Sequence, residues 1–317
     1  MLIGAFWPVR HRLLPWVVVA ALVALAVPRA ASGLGGLVPV FLAGQVLGVA
    51  LNLTPGEIRA AARRLHLVGL ALLCQWTLVP ALGLGLHLIA PNPIIAAGIL
   101  ICAISPAEIT SGLMATIAGG DTAIATACMA GSLATSIVLT PLWLAVGLGP
   151  AAHFSPTALG SELVLSVLIP LLVGVSLRAA LPALARWRHL FLDLSAACLV
   201  LVVLAGTSSA RPVLLSAAIG ATFGLVVLLL LGAGAIGFGL GRALRLPHRQ
   251  AAAIGFPIGI REFGVAIAVA LAVLPRASAV GGVYGIVMVA AAGTLATRLG
   301  GRAERPTTQA GERSPQR

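Results

Sequence analysis

Long apolar runs alternate along the chain with short segments that contain proline, glycine and arginine. Each run has roughly the 20 residues that an α-helix needs to cross the hydrocarbon core of a bilayer. Such runs differ from the alternating apolar and polar pattern of outer-membrane β-barrels. The pattern therefore predicts an all-α integral membrane protein with ten transmembrane helices. These spans are predicted near residues 13–31, 34–53, 66–88, 92–118, 122–147, 157–180, 190–209, 212–240, 248–274 and 278–299.

The composition agrees with a lipid environment. Of the 317 residues, 60% are apolar and only 9% are charged, which leaves too few polar side chains to cover a water-soluble domain. The net charge is +12, but the arginines lie in short clusters between apolar runs, so no nucleic-acid partner is predicted. The four cysteines lie in apolar runs without CxxC spacing. No disulfide framework and no metal site is therefore predicted.

The distribution of arginine predicts the orientation of the spans. If the N-terminus is inside, all arginines except Arg29, Arg211, Arg261 and Arg276 fall on the cytoplasmic side. The positive-inside rule then predicts that both termini are cytoplasmic. The polar segment 300–317 is predicted to be a disordered cytoplasmic tail, and the cell inner membrane of a bacterium is the predicted location.

Ten spans divide into two halves of five, residues 1–150 and 151–299. Because five is odd, the second half must enter the membrane with the opposite orientation, as in an inverted-topology repeat. The fourth span of each half contains an interruption with a proline, a charged residue and a closing glycine. The two interruptions read SPAEITSG at 105–112 and FPIGIREFG at 256–264.

Pro106, Pro257 and Gly264 are predicted to break these two helices. Proline removes a backbone donor and clashes with the preceding turn. Broken backbone is tolerated in a bilayer only where protein buries it or where it lines an aqueous cavity, and two broken helices indicate the binding site of a transporter. The alternative is a pair of structural kinks, which would leave the charges in the interruptions unexplained.

Glu108, Arg261 and Glu262 are the only charged residues well inside the predicted spans. Each would cost roughly 2.5–3.5 kcal/mol if it were unpaired. We expect the two broken helices to cross, so that Arg261 pairs with Glu108. The pair either only stabilises the crossing or belongs to a site for the solute or a coupling proton. Gln75 and Ser111 add polar groups to this candidate site.

Five motifs along the chain support a family resemblance: ALNLTPGEIR (50–59), LCQWTLVPALG (73–83), SPAEITSGLMATIAGGD (105–121), LATSIVLTPLWL (133–144) and IREFGVAIAVALAVL (260–274). Their order and spacing resemble the bile acid:sodium symporter family, whose superfamily includes arsenite efflux carriers. The resemblance implies a panel domain from spans 1, 2, 6 and 7 and a core domain from spans 3–5 and 8–10. It also implies a sodium-coupled secondary active transporter of a small organic anion, which binds where spans 4 and 9 cross.

The resemblance implies two sodium sites, and the chain departs from both. At the first, the Ser-Asn pair of span 4 corresponds to Ser111 and Gly112, and the span 5 hydroxyl positions correspond to Ala125 and Met129. The glutamate that the family shares between both sites corresponds to Pro257. This first site is predicted to be lost.

The second site combines a glutamine that matches Gln75 with a glutamine position that is Arg261 here. An arginine places a fixed cation and donor protons where sodium requires oxygen ligands. Our hypothesis is that Arg261 replaces the sodium ion, held by Glu108 and Glu262, in a sodium-independent or proton-coupled carrier. The alternative is a symporter that retains one sodium site through backbone carbonyls.

Other functional classes are disfavoured. The chain has no nucleophile–base constellation and no HExxH motif, so it is not predicted to be an enzyme. Arsenite carriers place a cysteine where this chain has Ala107. A non-transporting solute sensor on the same fold stays an alternative. No cofactor is predicted apart from Na⁺ or H⁺ as coupling ion, and the solute, the direction of transport and the oligomeric state are left open.

Overall fold

The computed structural model of the protein describes residues 13–27, 33–54, 56, 59, 63–149 and 154–303. Within these residues the chain forms a series of helices joined by short connections. We label the α-helices α1 (Leu13–Ala26), α2 (Val38–Ala50), α3 (Leu65–Leu88), α4 (Pro93–Ala103), α5 (Ser111–Ile117), α6 (Thr122–Leu148), α7 (Pro156–Ala180), α8 (Arg188–Leu214), α9 (Ile219–Ala243), α10 (His248–Gly259), α11 (Phe263–Val273) and α12 (Ser278–Ala303).

Six segments are long and apolar enough to cross a membrane, judged by length and composition over the described residues. The all-helical class that the sequence predicts is confirmed for this part of the chain, whereas the count of ten spans and the inverted repeat stay predictions. The six segments are Leu65–Leu88, Thr122–Leu148, Pro156–Ala180, Pro182–Leu214, Ile219–Ala243 and Pro275–Gly300.

Some helix ends differ from the predicted bounds. Pro212 was expected to begin a span, but it lies inside α8, which continues to Leu214. A proline inside a helix removes one hydrogen bond and can kink the helix without ending it. At the other end of the chain, α12 continues to Ala303, into the predicted tail. The rest of that tail lies outside the described residues.

Polar side chains begin several helices. Asn92 accepts a hydrogen bond from the Ile95 amide at the start of α4 (3.0 Å). The Asp121 carboxylate accepts from the Ala123 and Ile124 amides at the start of α6 (3.1 and 3.3 Å). These caps give partners to amide groups that the first turn of a helix leaves free.

Small residues allow the helices to approach closely. α8 packs against α1 and α2, while α9 packs against α3, α10 and α12. A Cβ atom at Gly48 of α2 would lie 2.5 Å from the carbonyl oxygen of Phe191 in α8. At Gly237 of α9 it would lie 2.6 Å from the carbonyl oxygen of Gly255 in α10. Close contact through small residues is how membrane helices associate when the hydrophobic effect contributes little.

Candidate functional site

Both predicted interruptions are breaks between helices. Residues 104–110 separate α4 from α5, and residues 260–262 separate α10 from α11. The two breaks lie side by side, because Ala107 and Arg261 form an antiparallel β-bridge. The interruptions therefore meet, although they are about 150 residues apart in the chain.

The breaks exchange backbone hydrogen bonds. The Glu108 amide donates to the carbonyl oxygen of Ile260 (3.0 Å), and the Glu262 amide donates to that of Pro106 (2.9 Å). The Arg261 amide donates to the Tyr284 hydroxyl (3.0 Å). Because a bilayer offers no water to free amides, this exchange is what allows two helices to be broken here.

The three predicted helix-break residues occupy different places. Pro106 lies within the first break, but Pro257 lies inside the last turn of α10. Gly264 is the second residue of α11. A Cβ atom at Gly264 would lie 2.8 Å from Oε1 of Glu262 and 2.9 Å from Oε1 of Gln45. Gly264 therefore leaves room for these two polar side chains.

Arg261 is completely buried, with 0% of its surface exposed. Its Nη2 atom donates to the carbonyl oxygens of Pro257 and Ile258, the latter at 2.7 Å. In a continuous helix these carbonyls would accept from the amides of Arg261 and Glu262, but those amides bond to Tyr284 and Pro106 instead. The guanidinium thus supplies the donors that the end of α10 has lost.

The predicted ion pair between Arg261 and Glu108 is wrong. The arginine side chain folds back along α10, and its hydrogen bonds go to backbone carbonyls. Among the described residues, Nε and Nη1 of Arg261 have no hydrogen-bond partner. The unsatisfied carbonyls at the helix end compete with the carboxylate for the guanidinium, and they are closer along the chain.

Glu262 is held by three donors from three parts of the chain. Its Oε1 accepts from Nε2 of Gln45 (3.0 Å) and from the Gly264 amide (3.0 Å). Its Oε2 accepts from the Ile109 amide in the first break (3.1 Å). The carboxylate therefore begins α11 and ties it both to α2 and to the opposite break.

Glu108 lies beside Glu262 but has weaker partners. Its Oε1 accepts from the amide and hydroxyl of Thr110 at 3.4 Å each. Its Oε2 has no hydrogen-bond partner within the described part of the chain. The Glu108 and Glu262 carboxyl groups are neighbours, because Glu262 accepts from the amide of Ile109, the residue that follows Glu108.

Comparison with known proteins decides what kind of protein carries this arrangement. The model of the Sodium Bile acid symporter family matches residues 39–217, more than half of the chain. The chain belongs to this family. Members of the family are transporters and not enzymes, so the chain is a multi-pass membrane transporter.

Two relatives agree with this family. The Bacillus subtilis protein named "Uncharacterized sodium-dependent transporter YocS" is 27% identical over 271 residues, which cover 84% of this chain and 83% of the relative. The Arabidopsis thaliana protein named "Probable sodium/metabolite cotransporter BASS4, chloroplastic" is 32% identical over 126 residues, which cover 38% of this chain and 28% of that protein.

Several residues predicted to correspond to the sodium sites of the bile acid symporters surround the first break. Nε2 of Gln75 donates to the Ser132 hydroxyl, which also accepts from the Ala107 amide (2.7 Å). Oε1 of Gln75 and Oγ of Ser111 are buried and have no hydrogen-bond partner in the described structure. A Cβ atom at Gly112 would lie 3.3 Å from the Thr126 hydroxyl.

The other positions predicted to correspond to the first sodium site offer no side-chain oxygen. Ala125 and Met129 are both buried on α6, and Pro257 lies within α10. Among these positions and their neighbours, side-chain oxygens thus come from Ser111 and from the nearby Thr126 hydroxyl.

Sequence reasoning missed three residues that hold the breaks in place. Gln45 supports Glu262 from α2, Ser132 supports Ala107 from α6, and Tyr284 supports Arg261 from α12. Gln45 and Tyr284 did carry a signal, since one is a lone amide in the apolar run FLAGQVLG and the other is the only tyrosine of the chain. Ser132 carried none, because serine is common in membrane helices.

The charged residues are closed off from their surroundings. Glu262 is 0% exposed and Glu108 is 1% exposed. A cavity of about 720 Å³ near His87 and Asn92 lies at the ends of neighbouring helices and has none of the three charged residues in its lining. A largely apolar cavity of about 390 Å³ between α9, α10 and α12 reaches Ile260. A solute can meet the charges only after the helices move.

Proposed function

We propose that the chain is a secondary active transporter that moves a small organic anion by alternating access, and that the Arg261 guanidinium takes the place of a coupling sodium ion. The observation that carries this proposal is the contact between the guanidinium and the carbonyls at the end of α10. In transporters with broken helices, such carbonyls at the C-terminal end of a half-helix coordinate the coupling cation. Here a permanent cation is bonded to them.

The unpartnered nitrogens of Arg261 support an anionic solute. Nε and Nη1 are buried donors without a partner in the described residues, and a guanidinium edge matches the geometry of a carboxylate. Because burying an unpaired donor is costly, a bound anion would relieve that cost. The small organic anion is therefore proposed to bind beside Arg261 when the site opens.

The proposed movement is that of a core domain against a panel domain, each drawn from both five-helix repeats. It is supported by the packing of α8 on α1 and α2 and of α7 on α2, which groups these four helices together. It is also supported by the burial of the charges, which requires the site to open. We place the protein in a bacterial inner membrane with both termini in the cytoplasm, following the distribution of arginine.

The test is uptake of a panel of radiolabelled organic anions into proteoliposomes, with sodium and then with potassium as the only metal cation. Uptake is expected to be the same in both salts. Arg261→Gln is expected to lower uptake at least about tenfold in both salts, since it removes hydrogen bonds from a charged donor. Arg242→Gln, which changes an exposed arginine near the end of α9, is the matched control. Uptake that requires sodium would overturn the role of Arg261.

A sodium-coupled symporter with one remaining site is the second candidate. Two observations favour it: both relatives are named as sodium-dependent or sodium-coupled, and Gln75 and Ser111 have buried oxygens without a partner among the described residues. This candidate predicts that uptake needs sodium and that Ser111→Ala raises the sodium concentration for half-maximal uptake. Without uptake of any anion, a solute sensor becomes the better description.

A further inference from the structure

We propose that Glu108 and Glu262 share one proton, and that this proton is the coupling ion that travels with the anion. The inference rests on the proposed function in one respect only, namely that the chain is a carrier. It assigns a cation site to a pair of side chains that matches neither of the family's sodium sites.

The hydrogen-bond inventory requires a proton. Glu262 receives three donors, whereas Oε2 of Glu108 receives none from the described residues. The two carboxyl groups are neighbours, because Oε2 of Glu262 accepts from the amide of Ile109, directly after Glu108. Two ionised carboxylates only accept, but a protonated carboxyl group also donates. One proton on Glu108, donated to Glu262, therefore provides the missing bond.

The three donors decide which residue holds the proton. A carboxylate that accepts hydrogen bonds from two backbone amides and an amide side chain is stabilised as an anion. Glu262 has that environment, while Glu108 has only long contacts to Thr110. Glu108 is therefore the carrier of the proton and Glu262 is the group that positions it.

The charge balance gives the same answer. Among the described residues, the charged groups around the crossing are Arg261, Glu108 and Glu262. The other ionisable groups that face them there are Cys74 of α3, Cys102 of α4 and Tyr284 of α12. With a neutral Glu108, the positive Arg261 and the negative Glu262 balance. Without the proton, the closed site would carry an unbalanced negative charge away from water, which the membrane interior disfavours.

The same balance links the proton to the anion. The free donors of Arg261, Nε and Nη1, are where a carboxylate would bind. Repulsion from an ionised Glu108 would weaken that binding, and protonation of Glu108 removes the repulsion. Because linkage is reciprocal, a bound anion also raises the affinity for the proton. With Glu108 protonated, a bound anion leaves the site with one negative charge, whereas beside an ionised Glu108 it would leave two.

The first experiment detects the proton without any transported solute. Infrared difference spectroscopy of the purified protein in lipid, recorded across a pH change, is expected to show the carbonyl stretch of a protonated carboxyl group, with its shift in D₂O. Glu108→Gln should remove the band. Asp121→Asn, which changes the cap of α6, should leave it in place. A band that persists in Glu108→Gln would overturn the assignment.

The second experiment tests the coupling. An inward proton gradient of one pH unit is expected to support about tenfold accumulation of a monovalent anion when one proton moves with each anion. Glu108→Gln mimics the protonated residue, so it should exchange labelled for unlabelled anion across the bilayer without accumulating it. That exchange also shows that the variant is folded.

The outcomes separate the two proposals. If the wild-type protein takes up an anion but is indifferent to the proton gradient, the shared proton is not the coupling ion and the carrier proposal stands. If Glu108→Gln still accumulates the anion under the gradient, the assignment to Glu108 fails. If no anion is taken up, the carrier proposal fails, while the infrared band still decides whether the carboxyl groups share a proton.

Discussion

Arg261 illustrates how a single side chain can serve two requirements of a broken membrane helix. The break deprives the carbonyls of Pro257 and Ile258 of their amide partners, and Nη2 of Arg261 donates to both carbonyls instead. The fixed charge at the same place compensates the buried Glu262. A neutral donor such as glutamine could meet the first requirement in part but not the second.

At the same scale, we expect the Ser132 hydroxyl to stabilise the first break. Its hydroxyl accepts from the Ala107 amide in the first break and from Gln75. Ser132→Ala leaves both buried donors without that partner and is expected to lower the free energy of unfolding by about 1–3 kcal/mol. Thermal unfolding in detergent, followed by circular dichroism, measures the change as a lower Tm.

Ser136 provides the control for this prediction. It lies one turn further along α6 and is equally buried, but its hydroxyl donates only to the Leu133 carbonyl of its own helix. Ser136→Ala is therefore expected to have an effect well below that of Ser132→Ala. Equal losses of stability in the two variants would mean that Ser132 does not support the break.

At the scale of elements, proline alone does not decide where a helix ends. Pro80, Pro141, Pro212 and Pro257 all lie inside helices. The chain is broken between α4 and α5 at Pro106, where the Pro106 carbonyl and the Glu108 amide find partners in the other break. The breaks therefore depend on one another, and each is expected to be unstable without its counterpart.

The packing of α9 on α10 gives a prediction at the same scale. Gly237→Val would place a side chain within 2.6 Å of the Gly255 carbonyl oxygen, so α9 and α10 must separate. The strain of overpacking is expected to cost about 1–3 kcal/mol. Because α10 carries the carbonyls that Arg261 caps, anion uptake should fall together with the Tm.

Gly239 of the same helix is the control. A Cβ atom there would meet no heavy atom within 4 Å. Gly239→Val should therefore leave both the Tm and uptake close to those of the parent protein. A Gly239→Val variant that is as impaired as Gly237→Val would show that the intrinsic helix preference, and not the contact with α10, governs the result.

At the scale of the whole molecule, the charges are sealed among helices from both halves of the chain. Alternating access requires them to open, and Ser111, 0% exposed and adjacent to the first break, reports on that opening. In a background without the four natural cysteines, Ser111→Cys is expected to react slowly with a membrane-impermeant thiol reagent. A transported anion should change the reaction rate several-fold by shifting the population of open states.

Mass spectrometry of the labelled protein measures that rate from each side of the membrane. Labelling of an exposed position, such as Thr297→Cys on α12, controls for the reactivity of the reagent and should not respond to the anion. A Ser111→Cys rate that no transported anion alters would argue against movement around the crossing.

The sequence by itself determined the membrane class, the approximate positions of the helices, the two interruptions and the three charges within them. These features depend on local composition, because a helix in lipid needs a continuous apolar run and any exception within it stands out. The same local motifs indicated the family, which the match over residues 39–217 shows.

Only the tertiary structure decided which groups bond to the charges. Gln45 is 217 residues from Glu262, and Ile109 is 153 residues from it, yet both donate to its carboxylate. The Arg261 side chain bonds to the end of α10 and not to Glu108, because the amides that would bond to the Pro257 and Ile258 carbonyls are bonded elsewhere. Such competition between donors becomes visible only when distant segments are brought together.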